Sequence, residues 1–177
     1  MNHPVVLKMF EHEDGSVREA VYSPCTKYRY SLTLRWNTLD NHRLVFLLLN
    51  PSTATEEAND PTVERCYRRA RDLGYDSLTI LNLFAYRAPA PAEMKSQEDP
   101  IGPANDFVIG KECSRSNVSG VLCGWGERGS HRGRAREVID KLQDLDVNLY
   151  CLKVNNSGNP IHPLYVSYET EPVRFNP

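Results

Sequence analysis

Four apolar runs in the later part of the chain limit its folds most: LVFLLL (44–49), SLTIL (77–81), VSGVLC (118–123) and VNLYCLKV (147–154). The segments between them, DPTVERCYRRARDLG (60–74), NDFVIGKECSRS (105–116) and HRGRAREVIDKLQDL (131–145), are long and polar enough to be surface helices. A strand that is apolar at nearly every position needs cover on both faces, and alternating helices supply it. The pattern predicts a three-layer α/β fold, with a mostly parallel central sheet and helices on both faces, over 44–177. Ahead of it, VVLKMF and EAVYS flank the polar turn EHEDGS as a hairpin. KYRYSLTLRW then alternates large and polar residues like a half-buried strand. Residues 1–40 therefore form an N-terminal β-strand extension of a single domain, 1–177.

The first helix carries its own boundaries. Asp60 suits the cap, Pro61 the first turn and Gly74 the end. Val63, Cys66, Tyr67 and Ala70 recur at i, i+3, i+4, i+7 and should face the sheet, which leaves Arg65, Arg68, Arg69 and Arg71 elsewhere on the helix. The strand exits are polar or glycine-rich: Asn50-Pro51-Ser52, Asn82-Leu83-Phe84, Gly124-Trp125-Gly126 and Asn155-Asn156-Ser157-Gly158. In open α/β sheets the carboxyl ends of the strands border the ligand crevice, so these exits should meet there.

Composition narrows the function classes. Five widely spaced cysteines form no C-x-x-C pair. Three of them sit in apolar patterns, which points to buried thiols in a reducing cytoplasm rather than a zinc or iron–sulfur centre. No metal or cofactor is expected. The N-terminal apolar stretch is too short for a signal peptide, and the sequence has no run of about 18 apolar residues, so no membrane partner is expected. A formal net charge of −2 argues against an indiscriminate nucleic-acid binder but leaves room for a local basic face.

Each candidate residue has a structural reading beside a functional one. Asn50 and Pro51, followed by Ser52 and Thr53, are ordinary turn residues, and Pro51 holds Asn50 extended; equally, that geometry aims an amide into the crevice. Asn82 is a strand-end amide of the same kind. Trp125, between Gly124 and Gly126, either plugs the core edge or offers a flat ring to a base or sugar. His162, placed by Pro163, is either a surface residue or a well-aimed hydrogen-bond donor. ERGSHRGRAR clusters Arg128, His131, Arg132, Arg134 and Arg136 at a helix start. Each cation there opposes the macrodipole by about 0.3–1 kcal/mol, so a nearby anion such as phosphate is expected.

LNPSTA, DPT, LNLFAYRA, DPIGPAND, GWG and HPLY together resemble a bacterial and phage family of unknown function marked by the L-N-P-S-T-A signature, over residues 28–177. The order of Asn50-Pro51, LTILN ending at Asn82, VLCGWG and His162-Pro163 is also similar, more remotely, to the uracil-DNA glycosylase superfamily. That resemblance implies a glycosylase-like fold, a flipped nucleotide and cleavage of an N-glycosidic bond in damaged or modified DNA, in repair or phage–host modification. It implies that Asn50 holds the attacking water, Asn82 reads the base, Phe84 stacks on it and His162 stabilises the departing base. Arg87, Arg128 and Arg132 would form a phosphate-binding rim. Ser52 replaces the Tyr that excludes 5-substituted pyrimidines, which favours a modified base. Leu48 stands where that superfamily has glycine, and Leu164 where it often has serine. Because an amide accepts no proton, Asp60 is the candidate general base, with Glu56 and Glu57 as alternatives.

Three functions remain open from the sequence: a DNA glycosylase-like hydrolase, a non-catalytic nucleic-acid-binding module, and a hydrolase of a free nucleotide. The oligomeric state is not legible.

Overall fold

The EHEDGS turn closes as expected, with Asp14 Oδ1 accepting hydrogen bonds from the Ser16 amide and hydroxyl. It joins β1 (Val6–Glu11) to β2 (Val17–Tyr22), and β3 (Arg29–Arg35) returns alongside β2. This computed structural model describes residues 3–177; Met1 and Asn2, the start of the expected β extension, lie outside the described residues. The chain continues through β4 (Arg43–Leu48), α1 (Pro61–Asp72), β5 (Ser77–Asn82), α2 (Pro91–Lys95) and α3 (Asn105–Cys113). It ends with β6 (Val118–Cys123), α4 (Arg134–Asp144), β7 (Leu149–Cys151) and β8 (Val173–Arg174).

All eight strands described belong to one sheet in the order β1-β2-β3-β5-β4-β6-β7-β8. The expectation of a mostly parallel, three-layer sheet of the uracil-DNA glycosylase kind is corrected here. β1·β2, β2·β3, β3·β5 and β7·β8 are antiparallel, and only β4·β5, β4·β6 and β6·β7 are parallel. The cause is the docking of β3 along β5, with Leu32 opposite Ile80 and Leu34 opposite Leu78, which makes the N-terminal strands part of the main sheet. Periodicity within one strand carries no information about its neighbour. It read β3 as half-buried, whereas its residues 29–34 are buried on both faces.

Helices cover the middle of the sheet. On one face, Val63, Cys66 and Ala70 of α1 pack on Leu44, Phe46, Leu78 and Ile80. On the other, α3 and α4 place Val108, Ile109, Val138 and Leu142 over Val45, Leu47, Leu81 and Val121. Full burial of one such Val or Leu stabilises the fold by about 1.5–3 kcal/mol. The helix boundaries of α1 fall where its residues require: Asp60 Oδ1 accepts from the Val63 amide, Pro61 opens the first turn and Gly74 takes φ +81° after Leu73.

Two arginines are buried and serve as anchors for irregular segments. Arg69 of α1 is 2% exposed and donates to the carbonyls of Ser167 (2.6 Å) and Thr170 (2.7 Å), with longer bonds to Val166 and Tyr168. Arg65 joins it with 2.6 Å to Val166 O, and its guanidinium lies 4.0 Å from the centre of the Tyr168 ring. Arg29 of β3 reaches under the 50–60 loop to Ala54 O at 2.6 Å, and burial lowers its pKa to about 10. Beside it Tyr22 donates to Glu56 at 2.8 Å. Burial, then that carboxylate, push the Tyr22 phenol up to about 12. A guanidinium can satisfy several carbonyls of an irregular segment at once, which is how the loop and the C-terminal segment gain hydrogen bonds without a strand partner.

Arg69→Ala should therefore destabilise the protein by about 2–4 kcal/mol, since several charge-assisted hydrogen bonds to buried carbonyls are lost together. Urea unfolding measures this; a change below about 0.5 kcal/mol, the range of an ordinary surface substitution, would contradict the anchoring role.

Candidate functional site

β4 and β5 end in register, Leu48 opposite Asn82, and their exits stay bonded beyond the strands. Leu83 N donates to Leu48 O, Phe84 N to Leu49 O and Ala88 N to Pro51 O, at 2.9, 3.0 and 2.9 Å. The Asn50 side chain joins this ladder: its Nδ2 donates to Pro51 O at 3.0 Å and to Ala88 O at 2.9 Å. Two carbonyl acceptors fix which end of the amide is NH2, so Oδ1 points the other way. Oδ1 accepts no hydrogen bond from the described residues. The neighbouring exit is held from beneath, where Asn105 of α3 donates to Asn82 O and Leu83 O and buried Arg134 of α4 donates to Leu83 O.

The chain goes from β4 to β5 on one side and places β6 and β7 on the other, so the winding reverses at β4. Ligand crevices in open sheets open at the carboxyl ends at such a reversal. A cavity of about 690 Å³ lies there, lined by Asn50 and Ser52 after β4, Trp125 to Arg128 after β6, Asn155, and the segment from Ile161 through His162 to Tyr165. Its volume falls in the range of small-molecule sites. A second cavity of about 740 Å³ lies across Trp125, against α4 and Phe175. It is the larger, but its cations are already engaged, Arg136 with Asp140 and Arg174 with Asn148. Unspent polar groups converge in the first.

His162 is built into that cavity by its neighbours. Its Nδ1 accepts from the Leu164 amide at 3.3 Å, which leaves the proton on Nε2. Burial lowers its pKa below the usual histidine value, and the Asp60 carboxylate opposes this only in part. The ring at neutral pH is thus an uncharged donor through Nε2. Gly124 allows its placement: a Cβ there would come within 2.7 Å of Pro163 Cδ and 3.2 Å of Leu48 Cδ2, so the His-Pro step lies against the end of β6 only because the residue is glycine. Gly126, at φ +69°, turns the chain back and donates to Pro160 O at 2.8 Å.

The other candidates are distributed as follows. Ser52, Trp125, Gly126 and Arg128 line the cavity with Asn50 and His162. Trp125 is 2% exposed, meets Phe175 edge-on at 5.9 Å and covers Gly129, so it is the wall between the two cavities rather than a free stacking platform. Asn82 and Phe84 are buried and do not line the cavity; Phe84 lies in the core with its ring 5.7 Å from that of His131. Pro51 is buried and serves through its carbonyl, and Thr53 is exposed outside the cavity. Asp60 is occupied as the α1 cap. Arg87 donates to Thr26 O and lies over the Tyr22 ring, while Arg132 donates to Glu98 O and Gln97 O. Of the expected rim, only Arg128 reaches the cavity, and it has no ion pair among the described residues.

Glu127 went unrecognised in the sequence. It opens the turn after Gly126, lines the cavity, and its Oε2 accepts from Asn155 Nδ2 at 2.5 Å. Asn155 is fixed in turn, its Oδ1 accepting from Ser157 N at 3.0 Å and Asn159 N at 2.9 Å. The available signal was its position directly after the glycine-rich exit of a parallel strand. Tyr165, 79% exposed, was missed as well, and it stands at the cavity beside His162 with the ring centres 5.9 Å apart.

Fold and site define a mixed α/β protein with a ligand-sized cavity at the reversal point of its parallel strands. The chain belongs to the family described as "Protein of unknown function (DUF1643)", whose model matches residues 29–164. No curated protein and no solved structure gives a significant match. The similarity to uracil-DNA glycosylases thus rests on the short motifs alone.

His162 should titrate with a midpoint below 6.5 by NMR. Asp60→Asn keeps a capping side chain but removes a charge that raises the His162 pKa, so the midpoint should fall further in that variant. A midpoint at or above 6.5 would show that the ring is solvated or paired with an acid.

Proposed function

We propose that this protein hydrolyses the N-glycosidic bond of a free nucleotide, with a modified base as the favoured leaving group. The observation that carries this reading is the pairing, in one cavity, of a fixed amide carbonyl at Asn50 with an uncharged Nε2–H donor at His162. Asn50 Oδ1 would orient the attacking water. His162 would stabilise negative charge on the departing base, an interaction that strengthens as the bond breaks and so lowers the barrier.

A free nucleotide is favoured over DNA because, of the three arginines expected at the rim, Arg87 and Arg132 bond backbone carbonyls away from the cavity and only Arg128 lines it. Asn82, the residue expected to read a flipped base, is not at the cavity. Ser52 at the wall leaves room that a tyrosine would fill, which favours a 5-substituted pyrimidine. We place the reaction in the cytoplasm, a reading supported by five unpaired cysteines, four of them buried. No helix among the described residues is long and apolar enough to cross a membrane.

The test is base release from nucleoside 5′-monophosphates carrying uracil, hypoxanthine or 5-substituted pyrimidines, and from oligonucleotides containing the same bases. Wild type should release base from at least one monophosphate. His162→Ala should lower kcat by about 100-fold or more with little change in Kd, the pattern of an interaction made in the transition state, and Asn50→Ala, which also loses its bonds to Pro51 O and Ala88 O, should lower kcat at least as much and weaken Kd as well. No release from any substrate would refute the hydrolase. Tight oligonucleotide binding that weakens steeply with salt would make the protein a nucleic-acid-binding module instead.

A further inference from the structure

A water held by an amide still needs an acceptor for its proton, and the structure disposes of the carboxylates nearest in sequence to Asn50. Asp60 spends Oδ1 on the Val63 amide and bonds Ala54 N through Oδ2 at 3.4 Å. Glu56 is buried and bound by the Tyr22 hydroxyl at 2.8 Å. Burial would raise its pKa, but backbone amide, Tyr22 and Lys8 hold it net below the usual carboxylate range, which suits a structural anion rather than a base. Glu57 is exposed and does not line the cavity.

We infer that Glu127 is the general base of the reaction and that Asn155 is its positioning residue. Glu127 supplies the carboxylate of the cavity wall that holds Asn50 and His162. One of its oxygens takes the Asn155 amide, which leaves the other for a water. Glu127 is itself exposed, and its position in the wall is set from two sides. Asn155 is locked by two backbone amides, and Gly126, just before Glu127, is tied to Pro160 of the same loop that carries His162. A carboxylate delivered by one strand exit and clamped by the next is a preorganised arrangement.

The assignment rests on the hydrolase reading and completes its chemistry. The water oxygen bonds to the anomeric carbon and its proton passes to the Glu127 carboxylate, while the carbon–nitrogen bond breaks and its electron pair leaves with the base. The base, hydrogen-bonded by His162, takes a proton from solvent, and Glu127 later returns one to solvent. No oxidant, reductant or metal enters the balance. The same carboxylate opposes the positive charge that grows on the sugar as the bond breaks.

The experiment combines catalysis with binding of a charged probe. Glu127→Gln, which keeps size and polarity, should lower kcat for the cleaved monophosphate by about 100-fold or more with Kd changed less than about threefold. Asn155→Asp places a second negative charge beside Glu127, whose proton affinity then rises, so the acid limb of the kcat profile should move to higher pH; Asn155→Ala should lower kcat without that displacement. The other charged or titratable groups that line the cavity are Arg128, His162 and Tyr165, so the limb is compared in a His162→Gln background to separate the histidine from the carboxylate. The probe is a nucleotide analogue with a protonated pyrrolidine in place of the sugar. Wild type should bind it at least about tenfold more tightly than the monophosphate, and Glu127→Gln should abolish that preference. If wild type cleaves and Glu127→Gln cleaves equally well, Glu127 is not the base, although the hydrolase reading stands. If wild type cleaves nothing yet prefers the cationic probe through Glu127, hydrolysis fails and the carboxylate's placement at the sugar stands. Absence of both cleavage and probe preference overturns the two together.

Discussion

One side-chain amide holds the site together. Asn50 donates from a single nitrogen to Pro51 O on its own strand exit and Ala88 O on the next, and so fixes the separation of two exits that have already left the sheet. Parallel strands have no tight hairpin to set that geometry, and their loops must find hydrogen bonds beyond the ladder. The orientation of Oδ1 follows from this bridge, which reinforces the backbone bonds Leu83 N–Leu48 O, Phe84 N–Leu49 O and Ala88 N–Pro51 O between the same exits. Arg29 beneath Ala54 and Asn105 beneath Asn82 hold the two exits from inside.

Much of the family signature has its explanation in these clamps rather than in ligand contacts. In DPT, Asp60 caps α1. In DPIGPAND, Asp99 Oδ1 accepts the Ile101 and Gly102 amides, Gly102 at φ +85° lets the Tyr28 ring approach, and Asn105 secures the exit of β5. Gly124 exists for the approach of Pro163. A substitution at such a residue would act through backbone geometry, since none of Asp60, Asp99, Gly102, Asn105 or Gly124 lines the cavity. Asn50 and His162 differ, since each lines the cavity with one polar atom used by the fold and another without a hydrogen bond among the described residues.

The parallel core was legible because its evidence is local: continuous apolar runs, a capped helix beginning Asp60-Pro61, and polar exits after each strand. The convergence of Asn50, Trp125 and Asn155 followed from those exits, but Asn82, expected with them, is buried away from the cavity, and His162 was expected there only through the resemblance. What could not be read was pairing and commitment. Nothing in KYRYSLTLRW states that it runs antiparallel to SLTIL, so the mixed sheet was hidden. Nothing in TVERCYRRARD distinguishes Arg69, which turns under the C-terminal segment, from Arg68, which pairs with Glu64 on the surface. The same applies at ERGSHRGRAR. The anion opposite Arg134 is Asp106 of α3, a contact across two helices, and the partner of Glu127 is Asn155, 28 residues away on the next strand exit.

The proposed hydrolysis requires a sugar held between the Asn50 carbonyl and the Glu127 carboxylate, with the base toward His162. The most direct test is a crystal structure of Glu127→Gln bound to an intact nucleoside 5′-monophosphate. The expected result is an anomeric carbon facing Asn50 Oδ1 across one water, base within hydrogen-bond distance of His162 Nε2, and Asn50 Nδ2 still on Pro51 O and Ala88 O. A nucleotide seated instead against Phe175 beyond Trp125, or an Asn50 amide turned to donate to the ligand, would contradict it.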